Sequence, residues 1–359
     1  MKSRNLVTDE KLVDVEREIS VKKSLKTVSL FSGCGGFDEG FIGGFSVFAN
    51  RHKKSFSKNP FDVIWANDID KDAVESYKEN IGDHIRLLDI NNIPNEEIPS
   101  CDIVIGGFPC QDFSIAGKRK AFENGRGTLY RQMIRVIKDK KPKAFIAENV
   151  KNILNPNLID LDKNQPVIKT IIEDFKKVGY TLKYKCLYAP DYGIPQRRER
   201  VFIVGIRNDI KKEFFFPKPF HPRMTSKDGI DDLWGKENNP KILNHNQMSL
   251  AKFRPFSKVG SQGNEMIPAD GPSHVMRAEH HMNIQAHYRT LNPNNDPSDR
   301  NYWRRLTVRE AARLQTFPDN FKFVGTKSSC YKQVGNAVPP ILGWYMARAL
   351  AICLNSKSV

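Results

Sequence analysis

A thiol, a carboxyl group and a set of guanidinium groups recur at apparent strand ends along this chain. Cys110 stands in Phe108-Pro109-Cys110-Gln111, directly after the apolar run Ile103-Val104-Ile105. It starts a loop holding Gly117, Lys118, Arg119, Lys120, Gly125, Arg126 and Gly127. A thiol beside basic groups has its thiolate favoured, and the thiolate is the nucleophilic form. Glu148-Asn149-Val150 ends the run Ala144 to Ala147, placing a proton-exchanging carboxyl group at a second strand end. Gln196-Arg197-Arg198-Glu199-Arg200 leads into Val201 to Ile206 with three arginines around one acid. Singly, the cysteine also reads as core filler and the charge run as a salt-bridged strand start. Together on one sheet edge, a nucleophile, an acid and arginine donors make an active site.

A second group has the types needed to hold a ligand. Phe31-Ser32-Gly33-Cys34-Gly35-Gly36 follows an apparent strand and precedes a helical segment, so backbone can approach a ligand at a helix N-terminus. A structural glycine turn is the alternative. The dinucleotide fingerprint requires a third glycine where Asp38 stands and an acid about 20 residues further on, whereas the next strand-end acid is Asp68. The pattern therefore argues against a nicotinamide enzyme. Asp68 closes Ile64-Trp65-Ala66-Asn67 and Asp89 closes Ile85 to Leu88. Carboxylates at the carboxyl ends of strands can accept from ribose hydroxyls or an exocyclic amine, or serve as solvated caps.

These groups must be positioned by an alternating set of elements. Strands are expected at Thr27 to Phe31, Val63 to Ala66, Ile103 to Ile105, Ala144 to Ala147 and Val201 to Ile206, with helices near Asp70 to Asn80, Thr128 to Asp139 and Val167 to Lys177. That order predicts an α/β lobe whose mostly parallel sheet is covered on both faces. From about Phe215 to Asn301 periodicity fades, Pro, Asn and Gly are frequent, and six of the eight histidines occur. A loop-rich second lobe is expected there. Helical patterns return at Leu306 to Phe317, behind Thr307 as a cap, and at Pro340 to Leu354, which the large lobe is expected to reclaim. At the start, Thr8 followed by Leu12, Val15 and Ile19 suggests a short docking helix.

Composition narrows the partners. The 359 residues suffice for a large domain and a smaller one. With 57 Lys plus Arg against 41 Asp plus Glu, the net charge of +16 points to a polyanion, nucleic acid first. Six scattered cysteines without a C-x-x-C pair suggest neither a disulfide framework nor a zinc ribbon, and fit a reducing cytoplasm. His274, His280, His281 and His287 match no common zinc spacing, so no metal is expected. The sequence offers no run of about 18 apolar residues and no apolar leader at its N-terminus, so a soluble protein without membrane association is expected.

The ordered blocks resemble the DNA cytosine-5 methyltransferase family of the bacterial restriction-modification type. They are Phe31 to Gly36, Asp68, Asp89, Pro109-Cys110-Gln111, Arg126 to Leu129, Glu148-Asn149-Val150, Gln196 to Arg200, Arg305 to Pro318 and Gln333 to Pro339, spanning about Thr27 to Ile352. The resemblance implies a Rossmann-like, S-adenosylmethionine-dependent fold. Its parts would be an N-terminal extension at 1–24, a catalytic domain at 25–214, a target-recognition domain at 215–302 and a returning segment at 303–359.

It further implies that Phe31, Gly33, Gly35, Gly36, Asp68, Ile69, Asp89, Ile90, Leu129 and Asn336 line the S-adenosylmethionine site. Phe31 would stack on adenine, Asp68 hold the ribose and Asp89 the adenine amine. Cys110 would be the nucleophile toward cytosine C6, Glu148 the group on N3 and N4, and Arg198 and Arg200 the arginines of the active edge, with Arg200 the better match for O2. Ser114, Lys118 and Arg119 would contact double-stranded DNA. Within 215–302, Arg277 is by residue type a further candidate for a base contact, with a structural ion pair to Glu279 or another acid as the alternative. A monomer is implied, paired in function with a restriction endonuclease that it need not touch. The family's Thr-aliphatic recognition dipeptide has no clear counterpart: Val275-Met276 stands in the aligned stretch, and Thr290-Leu291 comes later. Two rivals are a tRNA-modifying relative of the same family and a DNA-binding regulator lacking catalysis. The sizeable variable lobe favours duplex DNA over the first, and the complete Cys110, Glu148 and Arg200 set argues against the second.

Overall fold

The computed structural model describes residues 11–16, 24–109, 129–160, 163–219, 222–246, 265–278, 287–290 and 303–356. The first strand, β1 (Leu25–Leu30), leads into helix α1 (Gly36–Ile42). A small hairpin of β2 (Phe45–Val47) and β3 (Lys54–Phe56) precedes β4 (Phe61–Asp68), α2 (Lys71–Asn80) and β5 (Ile85–Leu87). Next come β6 (Ile103–Gly107), α3 (Leu129–Lys140) and β7 (Ala144–Val150). The short pair β8 (Ile159–Asp160) and β9 (Gln165–Pro166) precedes α4 (Val167–Lys177), β10 (Tyr180–Tyr188) and β11 (Glu199–Arg207).

Seven of these strands form one sheet in the order β10-β11-β7-β6-β1-β4-β5. The five from β7 to β5 are parallel, while β11 runs antiparallel to both β7 and β10. From β1 the chain moves outward to β4 and β5, then returns to the other side of β1 for β6 and β7. The reversal between β1 and β6 is a topological switch point, where a crevice opens outside the strand carboxyl ends.

Two-residue alternation sorts the core onto two faces. Ile103, Ile105, Phe202 and Val204 face α1 and the long C-terminal helix, whereas Val104, Phe145, Val201 and Ile203 face α3 and α4. Strand β10 was not expected. Its Lys183 and Lys185 hide the alternation because it is the sheet's edge strand, where lysines guard against pairing with other chains.

Beyond the sheet lie α5 (Ser226–Ile230) and a three-stranded sheet of β12 (Glu265–Met266), β13 (His287–Thr290) and β14 (Trp303–Arg305). Helices α6 (Val308–Leu314), α7 (Lys327–Asn336) and α8 (Pro340–Asn355) complete the chain's described part. Ile230, Ile267 and Met276 share a core with Leu306, Leu314, Phe317 and Val334, and β14 pairs with β13. The segment from 303 to 337 thus packs on Ile230, Ile267 and Met276 and also on Cys34 and Ala73. Helix α8 packs in the core that covers the α1 face of the large sheet. The stretch Lys327–Asn355 is long and apolar enough to cross a membrane, but 89% of its apolar window is buried inside the protein, as expected of a core helix.

The N-terminal docking helix requires correction at residues 11–16. Val13 pairs as extended backbone, its N–H donating to Phe216 O at 2.9 Å while Lys218 N–H donates to Val13 O at 2.9 Å. Val15 enters the core and its carbonyl accepts from Arg348 Nε. Backbone pairing to a ready partner overrides the weak helical spacing of three apolar residues. Thr8 and Ile19 lie outside the described residues.

Candidate active site

The glycine turn after β1 is held by the neighbouring strand. Phe31 sits at φ 54°, a left-handed conformation uncommon for a bulky residue, and Ser32 N–H donates to Asn67 O at 2.9 Å. Gly33, at φ 56°, donates its N–H to Asp68 Oδ2 at 2.7 Å, and a Cβ placed on it would meet nothing. Open space in front of this turn is a cradle for a ligand. Gly35, at φ 92°, caps α1, and a Cβ there would stand 2.9 Å from the Tyr77 ring. On Gly36 it would stand 2.6 Å from Val338 O, so α1 rests directly on the C-terminal block.

Asp68 also accepts from Asp70 N–H through Oδ1 at 2.9 Å. Burial pushes its carboxyl above the usual range, against the pull of those backbone donors. Asp89 Oδ1 accepts from both Asn91 N–H and Asn91 Nδ2, at 2.9 Å each. Ile69 is 71% exposed beside Asp68, and half-buried Phe31 flanks the crevice. Leu129 begins α3, and Asn336 ends α7, exposed. These residues fit S-adenosylmethionine. The Ile90 side chain is buried in the core against α3, and its carbonyl accepts from Arg135 Nη2 at 3.0 Å.

The chemical end lies across the switch point. Glu148 on β7 pairs in register with Gly107 on β6 and Phe202 on β11. Its Oε1 is 2.9 Å from Arg200 Nε, and both side chains are nearly buried. Burial raises the Glu148 pKa, opposed first by Arg200 and then by Arg198. Gly107 has no room for a side chain, because a Cβ would lie 2.9 Å from Glu148 Oε2. Asn149 Nδ2 donates to Phe108 O at 2.8 Å, and Asn149 Oδ1 accepts from Val150 N–H at 2.8 Å. The backbone entering Pro109-Cys110 is thereby tied to the residue after Glu148. In the sequence Asn149 stands out only as part of the Glu148-Asn149-Val150 motif; a carboxamide at a strand end beside an acid is its signal. Cys110, Ser114, Lys118 and Arg119 lie outside the described residues.

Arg198 stands near enough to this edge to favour the ionised Glu148 electrostatically. Fully buried, it donates through Nη1 to Met276 O at 3.0 Å and through Nη2 to Gly335 O at 2.9 Å and Ala337 O at 2.8 Å. Arg200 stands within β11 against Glu148, whereas Arg198 precedes the strand and binds the carbonyls of the 276 and 335–337 segments. Arg277 is exposed, but its backbone is wedged on Gly335, whose Cβ position is 2.3 Å from Arg277 C. Among the described residues, no cluster of three or more His, Cys, Asp or Glu side chains is arranged to hold a metal ion.

The profile of C-5 cytosine-specific DNA methylases matches residues 25–351. The chain is 38% identical to the Type II methyltransferase M.NgoFVII of Neisseria gonorrhoeae, over 88% of this chain and 83% of that protein. It is 35% identical to M.FnuDI of Fusobacterium nucleatum, over 93% and 96%. Among solved structures, the Schizosaccharomyces pombe Dnmt2 methyltransferase superposes with a TM-score of 0.62 at 21% identity, covering 92% of this chain and all of that one. The matched profile spans the glycine turn, the Glu148 edge and the Arg198 seam alike, and the chain belongs to the C-5 cytosine-specific DNA methylase family.

Proposed function

We propose that this enzyme methylates a cytosine flipped out of a specific duplex sequence, through a covalent bond between Cys110 and cytosine C6. The observation that carries this reading is the buried Glu148–Arg200 pair, one strand from the Phe108 carbonyl held by Asn149. Cytosine C5 is a weak nucleophile, and addition at C6 supplies the missing electron density. The Cys110 thiolate forms an S–C6 bond while Glu148 gives a proton to N3, which burial of its carboxyl favours. Arg200 holds Glu148 in place and stands ready to donate to O2. When bound at the Gly33–Asp68 turn, S-adenosylmethionine supplies an electrophilic methyl group. Once C5 has taken that methyl group, loss of the C5 proton to water, with the N3 proton returning to Glu148, restores the C5–C6 double bond and expels the Cys110 thiolate.

The other cysteines support the choice of nucleophile. Burial pushes the Cys101 thiol up to about 12 and those of Cys186, Cys330 and Cys353 to about 11, with Cys34 higher still. Such thiols stay protonated at neutral pH. A base in the stack is out of reach, so flipping is required at a cost of about a few kcal/mol. The enzyme would mark host DNA against a cognate endonuclease in the cytoplasm.

A duplex bearing 5-fluorocytosine at the methylated position, located by bisulfite sequencing of plasmid from expressing cells, tests the reading. Wild-type protein should be trapped in a covalent adduct and Cys110→Ser should not. Turnover by Cys110→Ser near the wild-type rate would overturn the mechanism, and transfer to tRNA but not to duplex DNA would overturn the substrate.

A further inference from the structure

We infer that Arg198 is a positioning residue that carries the seating of the recognition segment on DNA to the S-adenosylmethionine side of the active edge. It does so by holding the carbonyls of Met276, Gly335 and Ala337 on one guanidinium. The inference rests on the function proposed above.

The segment 273–278 is fused to the start of β11. Ser273 donates through both N–H and Oγ to Pro195 O at 2.9 Å, and Arg197 N–H donates to Ser273 O at 2.8 Å. Met276 N–H donates to Gln196 Oε1 at 3.1 Å. Gln196 Nε2 donates to Gln315 Oε1 at 2.7 Å, and Gln315 in turn donates to Val334 O and Ala337 O at 2.9 Å. Arg198 therefore closes a buried knot of three segments. Its planar fork can serve three carbonyls at once, which an ammonium point charge on a flexible stem cannot do with the same geometry.

Helix α7 extends from that knot to the cofactor side. Its Gln333 accepts from Ser76 Oγ at 2.6 Å through Oε1, and its carbonyl receives the Cys34 thiol of the glycine turn. Lys332 Nζ is 2.7 Å from Asp70 Oδ2, and Asp70 N–H binds Asp68. A shift of segment 273–278 against the sheet is thus resisted at Gly335 and Ala337. Through one helix it reaches the turn and the acid that face the methyl donor. A single rigid element touching both sites is the physical route a coupling free energy needs.

The test measures S-adenosylhomocysteine affinity by calorimetry, with and without a duplex carrying the mapped site. Wild-type enzyme should bind it about tenfold more tightly with the duplex present, within the usual range for coupled sites. Arg198→Lys should reduce that ratio to about twofold or less, and Ser273→Ala, which removes one buried hydroxyl of the knot, to an intermediate value. Loss of cofactor affinity and melting temperature with an unchanged ratio would mean a merely structural arginine and overturn the inference. So would a wild-type ratio of one. If Arg198→Lys does not fold, an unchanged ratio in Ser273→Ala overturns it and a reduced one supports it. Failure of wild-type protein to bind S-adenosylhomocysteine at all would instead sink the proposed function.

Discussion

Asp38 shows how a side chain can matter to the site without being legible in the sequence. As a residue type it only broke a dinucleotide fingerprint. In the fold it is fully buried beneath the glycine turn, accepting from Ser29 Oγ and Tyr77 OH at 3.0 Å each, while Tyr77 OH also meets His84 Nε2 at 2.9 Å. Burial raises its pKa from 3.8 to about 6 despite those donors. A carboxyl raised on folding stabilises the folded state fully below its unfolded pKa, and that contribution disappears as pH rises through the folded value. The shift corresponds to about 3 kcal/mol, lost between roughly pH 4 and 7. Asp38→Asn cannot ionise, so urea unfolding should show the wild type losing about that much relative to the variant over the same window. Parallel pH profiles for the two proteins would contradict it. Asp68, by contrast, was legible, because an acid at a strand's carboxyl end faces the ligand edge of such a sheet. Asp68→Ala should weaken S-adenosylmethionine binding at least about tenfold, since it removes a charged acceptor and releases the Gly33 N–H. Unchanged calorimetric affinity would remove Asp68 from the site.

Elements whose signals were local read correctly, and those decided by distant partners did not. Thr307 caps α6 in a reciprocal box, with Glu310 N–H on Thr307 Oγ1 at 3.1 Å and Thr307 N–H on Glu310 Oε2 at 2.8 Å. Strand β10 and the extended segment at Val13 depend instead on the edge and the groove they pair with. Glu310 joins both kinds of determinant. Besides closing the cap it binds Arg304 at 2.7 Å and Arg289 at 3.0 Å, and it is wholly buried. Those two guanidiniums flank the Trp234 ring, fastening β13 and β14 to α6. Thr307→Ala should cost about 1 kcal/mol of stability, as for other lost caps. Glu310→Ala should cost about 3–5 kcal/mol, because two arginines lose a buried counter-charge. Denaturant melts giving equal small losses would show that the network contributes nothing beyond the cap.

At the scale of the whole molecule, the catalytic sheet offers the same chemistry to any cytosine, so sequence discrimination must come from side chains reaching base edges or from DNA deformation. The net charge of +16 supplies affinity without discrimination, and duplex binding should weaken steeply with salt as condensed counterions are released. We propose that specificity resides in the segment 215–302, and the attachment of its described residues was not legible in the sequence. Residues 273–278 are stitched to Pro195, Arg197 and Gly335, so this part of the segment serves the seam as well as the DNA. Phe216, Met224 and Ile230 are likewise buried, Phe216 and Met224 in the core of the large lobe. Exchanging 215–302 for the equivalent segment of a related enzyme should therefore transfer the target sequence. Turnover should survive best when the recipient keeps its own residues at 273–278. Arg277→Ala should relax at most one base position, by about 1–3 kcal/mol, because one good bidentate contact discriminates by that much. Bisulfite sequencing of plasmid methylated by the chimera decides the matter. Methylation at the recipient's original site would place recognition elsewhere in the chain, and methylation at the donor's site only when 273–278 also comes from the donor would make that seam segment itself a reader of sequence.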